Sequence, residues 1–270
     1  MTDHPEPDAA PLPVTRWPGG GAAADGVGTG EDVAAGHGRD TEAPVHAGRV
    51  GDDHGHGQGP DPADGGVGDG IPDPEGPPAF YFDFRDPESY LAAERVMATL
   101  PVATPWVPID ASRLPGPHAW EGFRCEHDED AWRECIARTA GERGLQPLHW
   151  PPAVPFDSTL ALRAAWYAKG LGRVVSVSLP AFRQAYAGGH DLATESFVLI
   201  AASAAEMHPR AVLQAMDRAP IIDALTAATD RAIERGVRTV PAVWTGDRVF
   251  HGDDGIDAAA AALAERLSGD

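Results

Sequence analysis

Basic residues are scarce in this chain. Its 21 Lys+Arg stand against 41 Asp+Glu, a formal net charge of −20 over 270 residues. A nucleic-acid backbone or an anionic membrane needs a clustered basic surface, so neither is expected as a partner. Cysteine is scarcer still: Cys125 and Cys135 alone cannot build a disulfide framework. No run of about 18 apolar residues exists, so no bilayer-spanning helix is expected. The N-terminus shows no basic region followed by an apolar run, hence no secretory signal, and a cytoplasmic location is expected.

Residues 1–78 are poor in everything that builds a core. They hold 18 Gly and 12 Pro, 15 acids against three bases (Arg16, Arg39, Arg49), and one aromatic, Trp17. Such a chain buries too little apolar surface to offset its ordering entropy, and it reads as a disordered acidic tail. A coil of that length has an end-to-end distance of about 50 Å. Asp52-Asp53-His54-Gly55-His56 could hold a metal ion weakly, but no structural zinc spacing is present and no metal is expected.

Residues 79–270 carry six of the seven Trp and a net charge of −8, and read as one domain. Ala79-Phe80-Tyr81-Phe82-Asp83-Phe84 predicts a buried strand. Asp86-Pro87-Glu88-Ser89 then combines an N-cap Asp, a Pro at N1 and a first-turn acid, so a helix follows through Leu100. Thr104 to Ile109 predicts a second strand, at a sheet edge because of Pro105 and Pro108. Helices are expected at 128–142, with Ala131, Trp132, Cys135 and Ile136 on one side, and from Asp157 or Ser158 to 170. Further helices are expected at about 178–187, 193–206, 209–216 and 220–235, making 145–235 all helical. Val240–Trp244 and Arg248–Phe250 read as a hairpin, and Ile256–Leu267 as a last helix. The order β-α-β, helical insertion (about 128–235), β-β-α is that of an α/β thioredoxin-like fold.

Four stretches carry a family resemblance: Phe80–Phe84 running into Asp86–Leu91; Trp150–Ser158 leading into Ala161–Ala165; Ala181–Tyr186 followed by His190-Asp191-Leu192; and Arg235–Val243 continuing to Phe250-His251-Gly252. Over about 79–260 the chain resembles the DsbA-like branch of the thioredoxin superfamily. Within it, the chain is similar to 2-hydroxychromene-2-carboxylate isomerases and kappa-class glutathione transferases. The resemblance implies a thiol or small organic ligand, with glutathione the implied cofactor, in a cleft between the first helix and a cis-proline loop at Pro241. A homodimer is left open.

The implied centre departs from the family. Dithiol exchange needs Cys-X-X-Cys where this chain has Asp86-Pro87-Glu88-Ser89. On one straight helix Cys125 and Cys135 would lie about 15 Å apart, too far to bridge; they read as two small buried or half-buried residues. The glutathione-dependent relatives place a Ser hydroxyl where Asp86 stands, and an ionised carboxylate can only accept hydrogen bonds and would repel a thiolate. Asp86 is thus either a helix cap or a polar group of the cleft, with Ser89 a second candidate. Where the relatives read Gly, any residue, Asp, Arg, this chain has Gly252-Asp253-Asp254-Gly255. Asp254 can still accept from an ammonium group, or cap the last helix. The Val240 backbone, beside Pro241, would offer an edge to an extended ligand. Arg238 or His251 could balance Asp86, or lie on a solvated face. The competing function is a non-catalytic thioredoxin-fold binding module; a disulfide oxidoreductase working through Cys125 is the weakest reading.

Overall fold

The computed structural model describes residues 76–123 and 125–269. The expected tail therefore lies outside the described residues as far as residue 75, its histidines included.

The aromatic run forms the central strand. In β1 (Ala79–Phe82) all four side chains are buried, as a strand covered on both faces requires. Phe82 packs within 5.6 Å of Phe80, Phe84, Trp106 and Phe182, and burying such a ring stabilises by about 1.5–3 kcal/mol. The strand stops at Phe82 rather than running to Phe84, because Asp83 turns its carboxylate to side-chain and loop partners. Helix α1 (Pro87–Ala93) follows, then a break at Glu94–Arg95 and the short α2 (Val96–Thr99). The sequence reads as one helix here. It breaks where Arg95, with φ −124°, reaches across to Asp253 and Asp257.

Strand β2 (Trp106–Pro108) lies parallel to β1, with Phe80 opposite Trp106. Strands β3 (Ala242–Trp244) and β4 (Val249–His251) form the late hairpin, and β3 pairs antiparallel with β1, Tyr81 opposite Ala242. The sheet order is β2-β1-β3-β4, so β2 is at an edge as its prolines require. Two side chains of α4 (Thr159–Gly170) shield that edge: Lys169 Nζ donates to the Trp106 carbonyl at 3.0 Å and Trp166 Nε1 to that of Pro108 at 2.9 Å.

The insertion runs from α3 (Glu126–Glu142) through α4 to α5 (Val174–Tyr186), α6 (Glu195–Ala204), α7 (Pro209–Met216) and α8 (Ala219–Glu234); α9 (Gly255–Gly269) closes the chain. Two corrections concern it. It is not helical throughout, since 143–158 is irregular. Helix α5 begins at Val174, not near 178; Pro180 resembles a first-turn residue but sits inside the helix, at the expense of one backbone hydrogen bond. In α3 the buried stripe is Ile136 and Ala140 with Trp132 packed beside it. That stripe is narrower than the expected face, and both Cys125 and Cys135 are exposed. No helix among the described residues is long and apolar enough to cross a membrane.

Candidate ligand site at the start of the first helix

After β1 the backbone turns, with the Asp86 N–H donating to the Asp83 carbonyl at 3.3 Å, and Asp86 caps α1. One carboxylate oxygen of Asp86, Oδ2, takes two donors from Ser89: the backbone N–H at 2.7 Å and the hydroxyl at 2.6 Å. The two expected catalytic residues are therefore bonded to each other. Asp86 is 1% exposed and Ser89 0%.

The late segments meet this helix start. The β1–β3 register sets Pro241 beside the end of β1. Val240–Pro241 is a cis peptide, as is Val154–Pro155 in the loop before α4. The Pro241 carbonyl accepts from the Gly252 N–H at 2.8 Å. Gly252 has φ +77°, and a Cβ there would lie 3.8 Å from Glu88 Oε2. Glu88, Gly252 and Pro241 are thus linked, and Glu88 stands two residues past the N-cap Asp86. Val240 itself makes no hydrogen bond among the described residues.

A loop from the other side closes on the same segment. The Gly116 N–H donates to the Arg238 carbonyl at 2.9 Å, and a Cβ at 116 would stand 2.4 Å from that oxygen. Backbone cannot yield there as a flexible side chain can. Gly116→Ala is expected to destabilise by about 2 kcal/mol, in the range of strained small-to-large changes, as read by urea denaturation. A loss below half that would mean the loop is free to shift.

Carboxyls dominate the electrostatics. Burial pushes the Asp86 carboxyl well above the ordinary carboxylate range; the Glu88 charge adds to this, the Ser89 hydrogen bonds oppose it, and the Asp83 charge adds again. Burial likewise raises Glu88, helped by Asp253 and Asp254 and opposed by the Asp253 backbone N–H. Asp253, not Asp254, is the structural acid of the turn. It takes Arg95 Nε at 3.1 Å and Arg143 Nη1 at 3.0 Å, with a further contact from Arg143 Nη2, and so ties the end of α3 to the break between α1 and α2. The Asp254 side chain is exposed and makes no hydrogen bond among the described residues.

Sequence reasoning missed a second buried acid. Asp83, 0% exposed, accepts from the Ala111 N–H at 2.8 Å, the Arg85 N–H at 3.1 Å and the Ser158 hydroxyl, and pairs with Arg85 Nε at 3.3 Å. Burial raises its pKa, and Arg85, first among these partners, lowers it. Tyr186 is also part of this floor. Its hydroxyl donates to the Phe84 carbonyl at 3.0 Å, its ring stacks on Tyr90 at 5.6 Å, and burial, then Asp86 and Asp83, push its hydroxyl well above the usual tyrosine range. The signal for Asp83 was its place as the lone charge in an aromatic run.

Arg238 and His251 meet each other instead of Asp86. The Arg238 N–H donates to His251 Nε2 at 3.0 Å, and neither is among the leading charges on Asp86. No group of three or more His, Cys, Asp or Glu suited to a metal ion occurs among the described residues.

The mixed four-stranded sheet, the helix starting beside a proline turn and the helical insertion define a thioredoxin-fold protein. A DSBA-like thioredoxin domain matches residues 79–264, and the chain belongs to that family. No curated protein matches. Among solved structures, a 2-hydroxychromene-2-carboxylate isomerase superposes with a TM-score of 0.62 at 22% identity, covering 70% of this chain and 95% of that one. The cytosolic disulfide reductase DsbM from Pseudomonas aeruginosa gives 0.51 at 17% identity, covering 72% and 99%. The same reductase solved with GSH gives 0.51 at 17%, covering 71% and 98%. At these identities the likeness shows the fold.

Proposed function

We propose that the protein binds a thiol-bearing, peptide-like ligand of the glutathione type where α1 meets the Val240–Pro241 turn, as a glutathione-linked isomerase or transferase and not a dithiol oxidoreductase. One observation carries the reading. Val240, beside the cis peptide and one segment from the helix start, has backbone donor and acceptor groups unused among the described residues, and these suit an extended ligand. The exposed Asp254 supplies an acceptor for an ammonium group on the same side. A similar fold solved with GSH agrees with this choice. Redox exchange is disfavoured because Asp86 and Ser89 occupy the positions that need thiols. A reducing, cytoplasmic setting belongs to the reading, and two exposed unpaired cysteines suit it.

Isothermal titration with glutathione tests it. Binding at millimolar concentration or better is expected, and Asp254→Asn should weaken it about fivefold, the loss of one charged contact near a surface. Absence of heat at millimolar glutathione overturns the reading. The near-complete burial of Asp86 and Ser89 favours a second reading, a non-catalytic binding module. Binding of S-methylglutathione as tight as that of glutathione would select the module.

A further inference from the structure

A cavity of about 430 Å³ lies at the far end of β3 from Pro241. Arg231, Glu234 and Arg235 line it from the end of α8, Trp244 from β3 and Asp247 from the turn before β4. Two of these residues are buried, Trp244 at 7% exposure and Arg235 at 9%. The Arg235 guanidinium lies over the Trp244 ring, 5.1 Å from its centroid, and Nη1 donates to the Tyr81 hydroxyl at 2.8 Å. Tyr81 and Trp244 share one face of the sheet, because Tyr81 pairs with Ala242, two residues before Trp244. Arg231 stands one helical turn before Arg235. Burial raises the Tyr81 hydroxyl, and Arg235 and then Arg231 oppose this, so both cations bear on the same face.

Trp244 Nε1 is buried and has no hydrogen-bond partner among the described residues. An indole N–H can only donate, as can a guanidinium, and a buried donor without an acceptor is costly. The acceptors nearby are turned elsewhere. Asp247 holds the Thr245 hydroxyl at 2.8 Å and faces Arg266 at 3.7 Å and Arg248 at 3.9 Å. The carbonyls of Arg231, Ala232 and Ile233 accept from the N–H groups of Arg235, Val237 and Gly236, so the end of α8 is capped by its own backbone. The Glu234 side chain is exposed.

We propose that this cavity binds a small carboxylate, held by the Trp244 indole N–H and the guanidiniums of Arg235 and Arg231. A planar carboxylate matches the guanidinium fork and supplies the acceptor that the indole lacks. Glu234 and Asp247 balance the two cations, so a monoanion fits and a phosphate dianion is opposed. The site shares no residue with the α1–Pro241 region and does not depend on the glutathione reading.

Proton–nitrogen correlation spectra of the indole groups of the full-length protein test this, with sodium acetate exchanged for sodium chloride at constant ionic strength. Trp244→Phe identifies the Trp244 signal among the seven tryptophans. That signal is expected to move downfield and to saturate at millimolar acetate. Trp132, whose Nε1 is also buried without a partner but which lies outside this cavity, should stay in place. Arg231→Gln should weaken acetate binding about fivefold through loss of one cation. An unmoved Trp244 signal overturns the inference, and so does an equal shift of Trp244 and Trp132, which marks a solvent effect. Inorganic phosphate binding as tightly as acetate overturns the carboxylate assignment. Should Trp244→Phe fail to fold, Arg231→Gln carries the test: a single indole signal must respond to acetate in the parent and respond more weakly in the variant.

Discussion

Asp83→Asn is expected to destabilise the fold by about 3 kcal/mol, the range for leaving buried polar groups unsatisfied in a charged network. The change is nearly isosteric, so hydrogen bonding decides it. Oδ1 of Asp83 accepts the Arg85 N–H and the Ser158 hydroxyl, and Oδ2 accepts the Ala111 N–H and faces Arg85 Nε. Each oxygen therefore meets a backbone N–H. Whichever way an Asn side chain is turned, its NH2 points at a donor and a buried N–H loses its partner. Three parts of the chain depend on those bonds: the turn into α1, the 3-10 turn at Ala111–Arg113, and Ser158 at the start of α4. Asp83→Ala should cost more, because Arg85 loses its buried counter-ion as well. Urea denaturation measures both. A loss under about 1 kcal/mol for Asp83→Asn would show that the network relaxes around the amide.

What the sequence made legible was local. Asp86-Pro87-Glu88-Ser89 states a helix start within four residues, and the structure has Asp86 as its N-cap. Pro105 and Pro108 mark an edge strand because a missing N–H is a local property. The missed features depend on distant partners. Arg95 breaks the first helix by reaching residues more than 150 positions away, and no window on the sequence contains that pair. Asp83 sat inside an aromatic run whose pattern assigns faces but not hydrogen bonds. Cys135 matched the apolar face of α3 by spacing, yet the core contacts only the narrower stripe at Trp132, Ile136 and Ala140. For Asp86 the helix start that favours its charge is legible in four residues, whereas burial and the neighbouring acids, which push its carboxyl up, come from tertiary structure.

Stability should fall as pH rises from about 5 to about 8. Burial raises Asp86, Glu88 and Asp83 alike. For each, the folded state therefore holds its proton to higher pH than the unfolded chain. The stabilising contribution is complete below the unfolded value and is lost as pH climbs through the folded one. A group wholly inside that window gives a slope of about 1.4 kcal/mol per pH unit. Two kinds of group act the other way. His251 is lowered, first by burial, so its effect favours the folded state at higher pH, across the ordinary histidine range. Asp157, Asp247 and Asp257 are held low, chiefly by hydrogen bonds to Thr159, Thr245 and Arg95, but they are exposed and act only below the ordinary carboxylate range. Asp83, Asp86 and the half-buried Glu88 therefore set the sign between mild acid and neutrality. Urea midpoints across that range should decline with pH, and Asp86→Asn should flatten the decline by removing one titrating group while keeping the cap. If the midpoint instead rises with pH, or Asp86→Asn leaves the slope unchanged, Asp86 is ionised throughout. The helix start then presents a fixed negative charge, which a thiolate cannot approach.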